Sequence, residues 1–158
     1  MRKFVRNLVG VKGFTIMEMI VVLIVFGVIL GLSVLYYQTT QVRADLNGQS
    51  ASFVSYTRLA QSYAEAGKDG GNHGIHLESD RYVLFSGATY AEGAEGNFEI
   101  ELPGTITIQN ISLNGSGDDI LFTAPHGETT TYGTLDFVST QAGSNITITI
   151  TQLGTIDY

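Results

Sequence analysis

Lys12-Gly13-Phe14-Thr15-Ile16-Met17-Glu18-Met19, continuing into Ile20-Val21-Val22-Leu23-Ile24-Val25-Phe26-Gly27-Val28-Ile29-Leu30-Gly31, decides how the rest of the chain is read. No charged residue occurs between residues 19 and 42. An apolar run of that length predicts a helix able to cross a hydrocarbon layer of about 30 Å. Ahead of it stand Arg2, Lys3, Arg6 and Lys12, with no acid among them. Positive charge before an apolar run predicts a cytoplasmic N-terminus, a single pass through the cytoplasmic membrane and an exported head. A cleaved secretory signal fits poorly. The run exceeds an h-region of about 7–15 residues, and Gly31-x-Ser33 is a poor cleavage site.

The charge is unevenly placed. The chain of 158 residues has 8 Lys and Arg, 15 Asp and Glu, and a net charge of −7. Residues 14–158 hold four of the cations against all fifteen anions, a net −11. Such a body repels phosphates, so nucleic acid is not expected as a partner. The cations considered for DNA contact, Arg58, Lys68 and Arg81, are scattered among carboxylates. The absence of Cys rules out disulfides, thiolate metal sites and a Cys nucleophile.

Glu18 heads the apolar run, where a carboxylate costs about 3 kcal/mol unless it has a partner. Lys12-Gly13-Phe14-Thr15-Ile16-Met17-Glu18 resembles the processing site of type IV prepilins, the class III signal. The resemblance implies a leader of residues 1–13, cut after Gly13 by a prepilin peptidase, with Phe14 then N-methylated. Glu18 is the fifth residue counted from Phe14, the position at which that family carries a Glu. There it is thought to pair with the cationic N-terminus of a neighbouring subunit. Such a pair is favoured over either charge left alone in an apolar filament core. Gly27 and Gly31 form a Gly-x-x-x-Gly that lets helices approach closely. Leu35 stands where major pilins usually have Pro, which leans towards a minor subunit.

The helix is expected to run over about residues 15–66, about 75 Å. Residues 14–40 form its apolar half and 41–66 its amphipathic half. Val42, Leu46, Gln49, Phe53, Tyr56, Ala60 and Tyr63 form one stripe, with Arg43, Asp45, Asn47, Ser50, Ser52 and Arg58 opposite. The run Gly67-Lys68-Asp69-Gly70-Gly71-Asn72 should stop it. Beyond, the period becomes two. Strands are expected at 81–85, 98–102, 105–113, 120–123, 133–138, 145–152 and 155–157, divided by turn residues. The fold class expected is α+β and pilin-like: a long N-terminal helix, membrane-spanning in its first half, packed on a small antiparallel β-sheet head at 67–158.

Asp119-Ile120-Leu121-Phe122-Thr123-Ala124-Pro125-His126-Gly127, then Gly133-Thr134-Leu135-Asp136-Phe137, then Ile146-Thr147-Ile148-Thr149-Ile150 and Gly154-Thr155-Ile156, resemble the C-terminal half of the GspH/FimT family. Arg58-Leu59-Ala60 with Ser62 and Ala64 resembles its helix end. The resemblance implies a minor pseudopilin of a type II secretion or type IV pilus-like machine, priming or capping a filament. Its implied partners are the prepilin peptidase, other pilins or pseudopilins, and the inner membrane. The alternatives are a major pilin and a filament-tip binding module for DNA uptake or exoprotein recognition.

Chemistry is sparsely signalled. His73, His76 and Glu78 match no zinc spacing and are expected as solvated loop residues. Asn114-Gly115-Ser116-Gly117-Asp118-Asp119 is oxygen-rich, which makes Asp118 and Asp119 weak Ca²⁺ candidates, but it lacks the Ca²⁺-loop pattern and is expected as a hairpin turn. No cofactor is expected, and no enzyme. Ser, His126 and Asp136 are an inventory without a motif, since geometry defines a triad. The sequons at Asn110, Asn114 and Asn145 are expected by chance in a Ser/Thr-rich chain.

Overall fold

Thr15 starts the helix. Its hydroxyl accepts a hydrogen bond from the Glu18 N–H at 3.2 Å, and its carbonyl accepts one from the Met19 N–H at 3.2 Å. That is the N-cap arrangement, with an acid at the third helical position. The computed structural model describes residues 13–115 and 117–158, with the backbone alone for 33–39. The expected leader therefore falls outside the described residues except for Gly13. So do Ser116 and the Leu35 side chain.

Helix α1 covers Ile16–Glu65. A 3-10 turn at Lys68–Gly70 follows, entered through Gly67 at a left-handed φ of 63°. Among the described residues nine strands come next: β1 (His73–Leu77), β2 (Arg81–Ser86), β3 (Phe98–Glu101), β4 (Thr107–Leu113), β5 (Asp119–Thr123), β6 (Glu128–Thr129), β7 (Gly133–Ser139), β8 (Ser144–Ile150) and β9 (Ile156–Asp157). The chain divides into two compact units, Met1–Gln38 and Thr39–Tyr158.

The expected fold is corrected at two points. The strands form two antiparallel sheets, in the orders β3-β2-β1-β5-β6 and β4-β7-β8-β9, not one small sheet. The reason is the number of apolar faces. Ile75, Leu77, Tyr82, Ile120 and Phe122 from the first sheet share one core with Ile108, Leu135, Phe137, Ile148 and Ile150 from the second. A single sheet would leave half of these strands without cover.

The second correction concerns the membrane. Among the described residues no helix is long and apolar enough to cross one. The exposed apolar side chains described at the start of α1 are those of 16–32. Val42 and Leu46, counted above with the long helix, are spent in the core of the second unit. The single-pass membrane anchor is overturned with it.

Within the second unit the buried helix face is Val42, Leu46, Ser50, Phe53, Val54, Thr57, Ala60 and Ala64. Ser50 belongs to this face and not to the opposite one, and Gln49, Tyr56 and Tyr63 are half-buried at its margin. Thr57 is tolerated there because its hydroxyl donates to the Phe53 carbonyl at 2.8 Å. Phe53 touches both sheets: its ring centroid lies 5.1 Å from that of Tyr82 on β2 and 5.3 Å from that of Phe137 on β7.

β1 was expected as solvated loop. It is the middle strand of the first sheet, paired with β2 and β5. Gly74 is why it fits: a Cβ there would lie 2.5 Å from Phe85 Cζ and 2.7 Å from the Ile120 carbonyl. The two-residue β6 was also unforeseen.

Phe53→Ala should lower the unfolding free energy by about 3–5 kcal/mol, read by urea titration of the folded head. A loss under about 1 kcal/mol would mean that Phe53 does not join the sheets.

Candidate functional site

The first unit presents the residues singled out for processing and assembly. Gly13 has open space around it, and Phe14 is 79% exposed. Every large apolar side chain described in 16–32 is exposed, from Ile16 through Phe26 to Leu32. A Cβ at Gly27 or at Gly31 would meet nothing within 4 Å. The two lie one helical turn apart, so they form a pair of notches in a greasy surface. This is apolar area of the kind that proteins cover with another surface.

Glu18 is exposed in the first turn of α1. Its placement adds a role that was not read from the sequence. An acid at the third helical position complements the helix dipole whether or not a second subunit is present. The Thr15-x-x-Glu18 spacing is the signal that would have found it.

The structure does not bring Asp118 and Asp119 together as ligands. Asp118 supplies its carbonyl to the Leu77 N–H at 2.7 Å. The Asp119 carboxylate lies 2.6 Å from His76 Nδ1, which fixes the imidazole proton on that nitrogen. Among the described residues no group of three or more His, Asp and Glu could hold a metal ion. His73 and His76 point to opposite faces of β1, as the strand period requires. His73 is buried, with Nε2 2.9 Å from the Lys68 carbonyl. His126 is exposed in the turn after Pro125, while Asp136 lies on β7 and is held by other groups.

Two polar clusters in the second unit were not foreseen. In the first, His76 stacks on Tyr90, with centroids 3.9 Å apart and planes 6° from parallel. Arg81 Nε lies 2.8 Å from Glu78 Oε2 in an ion pair, and Arg81 also pairs with Glu99. The hydrogen bond from Arg81 holds the Glu78 carboxyl below its ordinary value. Burial pushes the Tyr90 phenol up, and the Glu78 charge adds to that. These contacts hold the β2–β3 loop against the first sheet.

The second cluster is on β4, β7 and β8. Asn110 Nδ2 donates to Asp136 Oδ2 at 2.8 Å, and the Thr147 hydroxyl donates to Asp136 Oδ1 at 2.6 Å. Asn110 has a left-handed φ of 51° at the irregularity in β4 between Gln109 and Ser112. Its amide therefore fastens a bulge. The bond from Asn110 and then that from Thr147 lower the Asp136 pKa.

The three cations weighed for DNA contact are all engaged. Arg58 reaches the Ile156 carbonyl at 3.5 Å, Lys68 sits 3.7 Å over the Tyr63 ring, and Arg81 is held between two glutamates.

No protein-family model matches the chain, and no curated protein or solved structure matches it. The resemblance to prepilins and to the GspH/FimT family thus rests on the residues quoted for it.

Thr147→Val removes one of the donors to Asp136. A carboxyl with a depressed folded pKa stabilises the protein above its unfolded value and loses that contribution as pH falls. The variant should be about 0.5–1 kcal/mol less stable than the parent at pH 7, discounted for exposure. The gap should close as pH falls through the Asp range. A gap independent of pH, measured by urea titration at pH 7 and in acid, would show that Asp136 is not what Thr147 stabilises.

Proposed function

We propose that the chain is a filament subunit of the prepilin type, a minor pseudopilin of a type II secretion or type IV pilus-like machine. The observation that carries the reading is the exposed apolar helix surface of 16–32, with the notches at Gly27 and Gly31 and one acid, Glu18, at its head. Like helices of neighbouring subunits would cover that surface, as coiled-coil and membrane bundles cover theirs. The function is non-covalent assembly, and no reaction is assigned to it.

In this reading a prepilin peptidase cuts after Gly13 and the new Phe14 amine is methylated. That amine carries positive charge. Glu18 then has two roles. It holds the capping-box position of its own helix, and it offers a carboxylate to the amine of the next subunit. Inside an apolar core the charge pair rewards one axial register, because a shifted neighbour would leave both charges unpaired. A minor subunit is favoured over a major pilin by Leu35 at the position where major pilins usually carry Pro.

The two roles of Glu18 separate in substitution. Glu18→Gln keeps a side chain suited to the capping box but removes the charge. Glu18→Ala removes both. Both variants should still be cut after Gly13, as read from the N-terminal peptide by mass spectrometry. Both should enter the sheared filament fraction several-fold less than the parent. Parental incorporation of Glu18→Gln would leave Glu18 as a helix cap only. A chain that keeps Met1 in that fraction would refute the prepilin reading itself.

A further inference from the structure

The two sheets have four edges, and three of them are blunted. β6 and β9 are two residues each, and β4 carries a bulge with Asn110 in a left-handed conformation. Such features keep an edge from pairing with stray strands. β3 (Phe98–Glu101) differs. It ends the order β3-β2-β1-β5-β6, pairs with β2 in unbroken register, and contains neither Pro nor Gly. Among the described residues its other side has no strand.

The side chains on this edge define what it accepts. Phe98 and Ile100 share one face, and Phe98 is 52% exposed although its ring lies 5.7 Å from Tyr56. Glu99 and Glu101 share the other face, and both are exposed. Arg81 satisfies Glu99 in part, whereas Glu101 stands directly across from Arg81 in the register. An antiparallel second copy that matched the apolar faces would set Glu99 opposite its own counterpart. Like charges in that position oppose pairing. An acidic strand is rejected for the same reason.

The geometry points to β3 as a docking edge for an extended segment of a partner protein, one that alternates Lys or Arg with apolar residues. Main-chain hydrogen bonds supply the pairing, apolar residues cover Phe98 and Ile100, and the cations meet Glu99 and Glu101. The carboxylates then act as a filter, excluding self-pairing while admitting a basic strand. This inference concerns the second unit and stands whether or not the chain builds filaments.

The test uses the full chain in nonionic detergent, with a blocked hexapeptide of alternating Lys and Val as the probe. Hydrogen exchange by NMR should show slowed amides in β3 and no comparable change at β4, β6 or β9. The same peptide with alternate backbone nitrogens methylated should lose binding, because it cannot pair. Glu101→Lys should weaken the Lys/Val peptide about two- to fivefold and admit a Glu/Val peptide instead. Equal binding of the methylated peptide would mean attraction by surface charge alone and would overturn strand docking. Protection at another edge would overturn the choice of β3, and self-association through β3 without peptide would overturn the charge filter.

Discussion

The ring of Phe53 meets Tyr82 of one sheet and Phe137 of the other, and the architecture of the second unit depends on that contact. Two sheets of short strands carry more apolar faces than they can cover by themselves. One helix face, from Val42 to Ala64, supplies the missing surface. The small residues on it, Ser50, Thr57, Ala60 and Ala64, let the strands come close, while Phe53 fills the junction. Close packing of this kind makes each position sensitive to volume. It also explains why the same helix changes character along its length. From residue 42 onward its apolar residues have a partner in this chain, whereas those in 16–32 are exposed.

That contrast is the basis of the functional reading. An apolar surface that the chain does not cover itself has to be covered by something else, or it costs solubility. Copies of a similar helix are the proposed occupant: Gly27 and Gly31 leave open space on that surface, and the Glu18 carboxylate would set a register. The second unit would then be carried by the assembly. Its polar clusters serve its own fold: His76, Tyr90 and Arg81 hold one loop, and Asn110 and Thr147 hold Asp136 beside a bulge.

Much of this was legible in the residues. The end of the helix follows from Gly67, and the alternation of Ile146, Ile148 and Ile150 with Thr147 and Thr149 marks β8 with its wet face. β1 was hidden because two His and a Gly mask a central strand. Its identity depends on Gly74 allowing Phe85 and the Ile120 carbonyl to approach, which is a tertiary fact. The helix stripe was misplaced at Ser50 because a small hydroxyl residue reads as polar, whereas in the packed helix its size decides. The division into two sheets was invisible because hydropathy shows which strands have an inner face but not which of them pair. The membrane expectation followed from an unbroken lack of charge. That measure says nothing of what covers a residue: Val42, at the end of the uncharged run, is buried in the second unit, whereas 16–32 are exposed.

The most direct test exploits the absence of native cysteine. Single cysteines placed at successive positions through 16–32 can be probed with a water-soluble thiol reagent in the sheared filament fraction. The account predicts strong protection across this stretch, deepest near residues 27 and 31, together with disulfide cross-links between copies or with neighbouring subunits at those positions. Thiols that react there as fast as one placed in the exposed 92–96 loop, with no cross-links, would contradict it.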